Sequence, residues 1–570
     1  MLSKRAIFLA RVGVRYASVS EISVKDIVDR RIVGMVPKRF NFARDVIDHW
    51  AEKEQKNERP SSHPALKVIG FSSRTERNIN YTELSQLSKA LAGGFLYELG
   101  LTRDDRILLC LPRCADFWIV TIVALRTGIE FTSVTPQALS RDLRYRIQQF
   151  RPTVIITDKI EEVTEAEYPN WPVKHKICVN KKAANWRLLD TLYGNSLFEA
   201  TDTQASDHAL VYFTSGTTGF PKMVQHNQAY TLGHMSGLTN LLLDMTTTDD
   251  FLCTADTGWA KTAFGTYPIF IAGSSIVIDL VNRFDANRLV NLIQSHRITH
   301  ISSAPTVYRM MLALRKSFSF PSLRGSYSGG EPLSAETFNK WKANTGIEIR
   351  EAFAQSETLM VCTSNPSFPA KPGSMGKAVP EFEVAVIDDN LQPVKTNEVG
   401  HMAIKIRPHY PPGLFVGYKD NPKKTMEVFQ GDYYLTGDKV RCDEDGYFWF
   451  ETRADDVINS AGYRIGPVEI ESVLHEHKDV AESAIVGSPD HERVQVVKAY
   501  VVLKDEKKAS EALKKELQDF VKKRTAPYKY PREIEFRKSL PKTTSGKVQR
   551  HILREEAKAG KKINIGTPLL

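Results

Sequence analysis

The sequence predicts an α/β chain: strand–helix units over its first two thirds, then a small antiparallel barrel, then a compact α/β unit. Three observations predict it. From about residue 40 to 180, apolar runs of strand length alternate with stretches of helical spacing, the βαβ rhythm of a parallel sheet covered by helices. Residues 383–450 change to short strands between Gly- and Asp-rich turns. After Arg453-Ala454-Asp455-Asp456 the strand and helix patterns resume on a smaller scale.

In chain order, residues 81–99 carry apolar side chains at helical spacing. Residues 106–111 (RILLCL) read as a buried strand, 117–126 as a helix and 153–157 (TVIIT) as another strand. The polar stretch 180–207 reads as a loop region leading into a strand at 209–213, and further strand–helix units run to about 360. The segments VAVID, HMAIKI, YYLTGD and YFWF supply the strands of the barrel. Beyond it, 470–474 and 512–524 read as helices and 481–486 and 496–503 as strands. There is no internal repeat and no low-complexity tract.

With 42% apolar and 25% charged residues, the 570-residue composition excludes global disorder, collagen and coiled coil. No apolar run reaches 18 residues; residues 264–280 are broken by Gly265, Pro268, Gly273, Ser274 and Ser275, so no transmembrane span is expected. Six scattered cysteines, without a CxxC pair, indicate neither a zinc site nor a disulfide framework, and a reducing compartment is expected.

The net charge of +10 is unevenly placed. Residues 1–20 contribute +4, residues 21–455 nothing, residues 456–520 −4 and residues 521–570 +10. A neutral body with basic ends argues against nucleic acid as partner and suits a small phosphorylated molecule. The first twenty residues hold four bases and no acid. On a helix Lys4, Arg11 and Arg15 share one face, and Leu9, Val12 and Tyr16 another, the pattern of a mitochondrial transit peptide with processing near residues 15–18 and delivery to the matrix.

The strongest local signal follows the apolar run Val211-Tyr212-Phe213. It leads into Thr214-Ser215-Gly216-Thr217-Thr218-Gly219-Phe220-Pro221-Lys222. Glycines let the backbone approach an anion, successive N–H groups and hydroxyls can cradle it, and Lys222 adds a point charge. The GxxxxGK[ST] pattern of P-loop NTPases is absent.

This nine-residue loop resembles the signature of the adenylate-forming superfamily: acyl- and aryl-CoA synthetases, luciferases and peptide-synthetase adenylation domains. Four more segments resemble its motifs in order: Ser328-Gly329-Gly330-Glu331-Pro332-Leu333, Glu351-Ala352-Phe353-Ala354-Gln355-Ser356-Glu357-Thr358, Tyr434-Leu435-Thr436-Gly437-Asp438 and Pro541-Lys542-Thr543-Thr544-Ser545-Gly546-Lys547. The match runs from about residue 38 onward. Within the superfamily the chain is most similar to mitochondrial medium-chain acyl-CoA synthetases, through the FNFARDVIDHW segment at 40–50, Asp256-Thr257-Gly258-Trp259, Tyr463-Arg464-Ile465-Gly466-Pro467 and the APYKYP segment at 526–531. It departs from their usual pattern at Phe353, Ala354 and Ser356, which replace Tyr, Gly and Thr, and at Thr452, which replaces Gly.

The resemblance implies a large N-terminal domain (38–454) of two parallel-sheet α/β subdomains plus the barrel (383–450), followed by a small mobile C-terminal domain (455–570). It implies ATP-dependent activation of a medium-chain or aryl carboxylic acid as acyl-AMP, then transfer to coenzyme A, releasing AMP and pyrophosphate. The alternative is an adenylate-forming enzyme with another acceptor, or one for short acids such as acetate and propionate. By resemblance Thr214–Lys222 hold the β/γ-phosphates, and Gly330, Glu331, Glu351, Ala352, Phe353, Ala354, Gln355 and Ser356 line the adenine side. Glu357 holds Mg²⁺, a hard cation suited to carboxylate oxygen. Asp438 takes the ribose hydroxyls with Arg453 in support, and Arg464 and Lys547 supply charge to the reacting groups. Asp455 is the implied hinge; Gln137, Ala461, Gly462, Tyr463, Arg493 and Lys522 line the coenzyme A path; Trp259 and Ala354 bound the acyl pocket. The partner expected is a small carboxylic acid, and the oligomeric state is left open.

Overall fold

The structure, a computed structural model, describes residues 23–562 except 167–170, 172, 215–220, 243, 282, 315–317, 455, 461–462, 491–493, 526–528 and 543–546. The transit segment at 1–20 therefore lies outside the described residues.

Two large sheets form the body. The first has eight strands, in spatial order Gly417–Tyr418, Lys222–Asn227, His208–Thr214, Glu130–Ser133, Arg106–Cys110, Val154–Thr157, His175–Cys178 and Arg187–Leu188. From His208–Thr214 to Arg187–Leu188 its pairings are parallel, with Leu108 between Thr132 and Ile155, and the Lys222–Asn227 and Gly417–Tyr418 strands are added antiparallel. Val154–Thr157 is wholly buried, as a parallel strand covered on both faces must be, and that is why its sequence is a continuous run rather than an alternation. The helix Ala115–Thr127 between two of these strands buries every residue from Phe117 on.

The second sheet has nine strands, in order Lys377–Ala378, Met360–Thr363, Ile349–Ala354, Gly325–Gly329, His300–Ser303, Asp250–Cys253, Ser275–Asp279, Leu66–Ile69 and Thr75–Ile79. The Leu66–Ile69 strand pairs with Ser275–Asp279 in parallel, some 200 residues away. The 40–180 stretch thus divides between the two sheets. Its local rhythm says that strands and helices alternate, but not which distant strand each one joins.

The helix expected over 81–99 is an α-helix over Tyr81–Gly93 continued by a π-helical turn at Gly94–Glu98. Asn80 caps its start, accepting the Glu83 N–H at 2.8 Å. Gly93 and Gly94 lie against the backbone of Ser196 and Leu192 so closely that a Cβ on either would meet a carbonyl oxygen at 2.0 Å or less. The segment at 40–50 is structural. Phe40 and Phe42 are fully buried, and the Asn41 amide donates to the carbonyls of Leu125 (3.0 Å), Arg126 (3.1 Å) and Thr201 (3.1 Å). Beneath it the buried Arg126 guanidinium forks onto Asp48 at 2.7 and 2.9 Å and onto Ser88.

The unit expected as a barrel is a five-stranded antiparallel sheet. The ten-residue strand Tyr433–Cys442 pairs with Gly400–Lys405, Phe448–Arg453 and the short Phe429–Gln430, and Val384–Ile387 joins the outer edge of Gly400–Lys405. Past residue 456 a separate five-stranded sheet centres on Val494–Leu503, flanked by the helices Pro467–His475, Glu511–Arg524 and Arg550–Lys562. Among the described residues no helix is long and apolar enough to cross a membrane, the six cysteines are free, and no three His, Cys, Asp or Glu side chains cluster as a metal site.

Candidate active site

A deep cleft opens where the second sheet, the antiparallel unit and the C-terminal unit meet, and Thr214, Lys222, Gly330, Glu331, Gln355, Glu357, Asp438, Arg453 and Lys547 all line it. Motifs spread over more than 330 residues therefore converge.

The loop with the phosphate-binding composition joins His208–Thr214 to the antiparallel strand Lys222–Asn227, with Thr214 opposite Lys222. It closes a hairpin rather than opening a helix. Residues 215–220, on which much of the phosphate cradle was expected to rest, lie outside the described residues; Pro221 lines the cleft. Lys222 reaches over the Tyr418 ring at 5.2 Å, and burial lowers its pKa, with Lys424 adding to the effect and Glu357 opposing it. The Tyr418 hydroxyl donates to Glu357 Oε1 at 2.8 Å.

The Ile349–Ala354 strand and the turn after it carry the next group. Glu351 points inward, accepting the Leu333 N–H at 3.2 Å, and burial raises its pKa to about 8. Its side chain thus braces the turn after Gly330-Glu331 rather than offering a charge. Ala352, Phe353 and Ala354 line the cleft, and Ala354 is exposed to it. Ser356 offers its carbonyl to His226, whose Nε2 lies 2.7 Å away. Burial pushes His226 down to about 3, so the ring is neutral; because a carbonyl only accepts, Nε2 carries the proton.

Gln355 is the connector. Its Nε2 donates to the Thr436 carbonyl (2.8 Å) and to Asp438 Oδ2 (2.6 Å), while its Oε1 accepts from the Tyr434 hydroxyl (3.0 Å). Asp438 Oδ1 accepts from Arg453 Nη1 at 2.8 Å. Asp438 and Arg453 stand opposite each other on paired strands, and Gly437 is what lets them close: its φ of +75° is open to glycine, and a Cβ there would sit 3.2 Å from the guanidinium. Asp438 is 2% exposed, and burial raises its pKa to about 6 against the pull of Arg453 and Gln355.

Lys547 reaches the cleft from the C-terminal unit. It is open to solvent but walled in, and this loss of water lowers its pKa; Glu331 and Asp438 oppose the effect and Arg453 adds to it. The C-terminal unit rests its Pro467–His475 helix on the Phe448–Arg453 strand, and Arg309 of the body lowers the pKa of His475, itself depressed chiefly by burial. At the junction the Ala454 N–H donates to the Gly437 carbonyl (2.9 Å), and the Asp456 N–H to that of Arg453 (3.0 Å). The Asp456 carboxylate pairs with Arg554, and Arg550 forks onto Glu471. Asp455, the expected hinge, lies outside the described residues.

Other expected residues are less assembled. Trp259 lines the cleft half-buried, and Gln137 lines it exposed. Ala461, Gly462 and Arg493 lie outside the described residues. Tyr463 and Arg464 are placed by their backbone alone, on the short strand Tyr463–Ile465 that pairs with Ile458–Ser460. Lys522 is exposed near the end of Glu511–Arg524, its Nζ 5.2 Å from the Tyr530 ring, and is not among the residues that line the cleft. Its helix shares a core with Pro467–His475, with Leu513, Leu517 and Val521 in one cluster with Ile470 and Leu474.

Sequence reasoning missed Tyr418 and Lys261. Tyr418 has no motif of its own. Lys261 lies two residues beyond Trp259, lines the cleft, and donates from Nζ to the Gly329 carbonyl at 3.0 Å.

This geometry has counterparts. The family model described as "AMP-binding enzyme" matches residues 53–418, and that described as "AMP-binding enzyme C-terminal domain" matches residues 469–547. The chain is 40% identical over 542 residues to human acyl-coenzyme A synthetase ACSM4, mitochondrial, covering 92% of each chain. It is 40% identical over 531 residues to acyl-coenzyme A synthetase ACSM3, mitochondrial, of Pongo abelii, covering 91% of this chain and 90% of that one. Among solved structures it is similar to the anthranilate CoA ligase AuaEII in complex with anthranoyl-AMP, at 25% identity and a TM-score of 0.82, covering 95% of this chain and all of the other. A benzoate CoA ligase from Burkholderia xenovorans matches at 26% identity and a TM-score of 0.77, covering 90% of this chain and all of the other.

Proposed function

The chain belongs to the AMP-binding enzyme family, and from that premise we propose how its cleft joins a carboxylic acid to coenzyme A. It is an acyl-CoA synthetase: the acid is activated with ATP as acyl-AMP, and the acyl group then passes to the thiol of coenzyme A. The activation is necessary because a carboxylate has no good leaving group, whereas AMP leaves readily from the mixed anhydride.

Roles follow from the placement of the side chains. In-line transfer at phosphorus asks for positioning and neutralised charge more than for covalent help. Asp438, buried and fixed by Gln355 and Arg453, is a rigid acceptor for the ribose hydroxyls. Lys222 and Lys547, both lining the cleft, bring ammonium groups to the phosphates and to the reacting carboxylate. Glu331 and Ala352–Gln355 supply the adenine side, with Glu351 bracing them.

The chemistry of Glu357 fits Mg²⁺. Its carboxylate has one oxygen held by Tyr418 and no basic side chain within ion-pair distance among the described residues, and this cation takes one or two carboxylates together with substrate phosphates. When bound, the ion would neutralise phosphate charge; Tyr418 orients the carboxylate that would hold it.

The acid is a medium-chain or aryl one. The observation that carries this is Ala354, whose methyl group leaves the cleft open past the adenine side. The site of action proposed is the mitochondrial matrix, supported by the basic amphipathic segment at 1–20 and by relatives whose names include "mitochondrial". The test is thioester formation across straight-chain acids from acetate to dodecanoate and a set of benzoates. A maximum at acetate, or AMP release unaffected by coenzyme A, would overturn the reading.

A further inference from the structure

One cation in the cleft has no task in this scheme. Lys261 opens the short helix Lys261–Phe264, and its Nζ donates to the Gly329 carbonyl at 3.0 Å, at the end of the strand that leads into Gly330-Glu331. An ammonium has three donors. Among the described residues this is its one hydrogen bond, and no carboxylate lies within 4 Å of it. A single neutral carbonyl leaves two donors and a full charge directed at the cleft that Lys261 lines.

Its surroundings say which part of the cleft it serves. Burial lowers Lys261 to about 8, Cys253 and Glu331 oppose this, and Lys547 lowers it further. The side chain therefore remains largely protonated at neutral pH and shares its region with the lysine assigned to the reacting carboxylate. A plain alkyl chain offers this ammonium no acceptor, and unmade hydrogen bonds of a partly buried charged group are costly.

We propose that Lys261 is a specificity-determining residue that reads a second oxygen acceptor on the acid, a hydroxyl, oxo or carboxylate oxygen within two or three bonds of the reacting carboxyl carbon. The proposal rests on the acyl-CoA synthetase reading and deepens it. The acceptor must be proximal, because Lys261 stands beside Gly329 and within electrostatic reach of Lys547, the lysine assigned to the reacting carboxylate.

The test uses the full chain with octanoate, 3-hydroxyoctanoate and octanedioate, and measures kcat/KM for thioester formation in the wild type, Lys261→Met and Lys261→Arg. A charged hydrogen bond of this kind favours 3-hydroxyoctanoate over octanoate about tenfold or more in the wild type. The ratio should fall toward one in Lys261→Met and be partly kept in Lys261→Arg. Octanedioate, whose second carboxylate is remote, should gain nothing from Lys261. Unchanged melting curves establish that the variants are folded. A wild type without preference, or a preference that survives in Lys261→Met, overturns the proposal. An equal loss on all three acids also overturns it, because Lys261 would then serve the transfer step itself. Absence of thioester from every acid with the wild type overturns the underlying reading instead.

Discussion

Gln355 and Asp438, 83 residues apart in the chain, are joined by a 2.6 Å hydrogen bond from amide to carboxylate. With Arg453 on the other oxygen, both carboxylate oxygens of Asp438 are held, so the acceptor proposed for the ribose hydroxyls is preorganised. The same two partners make its ionisation consequential.

Burial raises Asp438 to about 6, above the range of an unfolded aspartate. Through the window from about pH 4 to 6 the folded state holds a proton that the unfolded state has lost, so this group makes stability fall as pH rises. Activity runs the other way, because below about pH 6 the protonated side chain loses its charge toward Arg453. We expect kcat/KM for ATP to show an acid limb centred near pH 6, and Asp438→Asn to remove that limb while lowering the plateau. A limb that persists in the variant would assign it to another group.

Gln355→Leu leaves Asp438 Oδ2 and the Tyr434 hydroxyl each short of a partner. Losing a hydrogen bond to a charged group costs about 1.5–3 kcal/mol, or about 10- to 100-fold in kcat/KM for ATP. Gln355→Glu should be worse, since it sets a second carboxylate against Asp438. Steady-state kinetics at saturating acid would measure both.

Lys547→Ala should slow adenylate formation by about 10²–10³, the effect of removing one preorganised donor at a developing charge. Thioester formation from supplied acyl adenylate should survive, because the role proposed for Lys547 belongs to the first step alone. Pyrophosphate exchange measured beside thioester release separates the two. Equal loss of both would mean that one arrangement of the C-terminal unit serves the whole reaction.

Ala354→Trp should fill the cleft beyond the adenine side and move the optimum toward acetate and propionate. Each buried methylene contributes about 0.8 kcal/mol, so the four that separate butyrate from octanoate represent about 200-fold in kcat/KM available to be lost. A variant that still favours octanoate would place the acyl chain elsewhere.

Away from the cleft, Asp48→Ala should be among the most destabilising single changes in the body. It removes both oxygens from a wholly buried Arg126 guanidinium, and an uncompensated buried charge costs about 3–5 kcal/mol. Replacing the pair together, Asp48→Leu with Arg126→Met, should recover much of the loss. Chemical denaturation of the single and double variants would measure this.

The sequence made the convergent site legible for a specific reason. Phosphate, ribose and metal chemistry each need a few residue types at fixed spacing, as in Tyr434-Leu435-Thr436-Gly437-Asp438, and such spacing survives in one dimension. What it concealed is pairing at long range. The Leu66–Ile69 strand looks like its neighbours yet joins the other sheet. Glu351 sits inside a nucleotide motif, but its carboxyl turns to Leu333 because its strand position faces inward. Tyr418 and Lys261 act through where their backbones lie, and neither carries a local pattern. Lys522, a base in a strongly basic region, marks another limit: charge composition says how many cations there are, not which wall they stand on.

The clamps on either side of the junction have a mechanical consequence. On one side Ala454 is tied to Gly437 and Arg453 to Asp438; on the other Asp456 is tied to the helix that follows Lys547. The Asp456 N–H also reaches back to the Arg453 carbonyl, so the two clamped ends are stitched together across the junction. Any reorientation of the C-terminal unit that left both clamps in place would have to break that one stitch, and it would carry Lys547 with the unit. In such a movement Arg453 would stay with the frame, because its guanidinium is held by the buried Asp438 carboxylate.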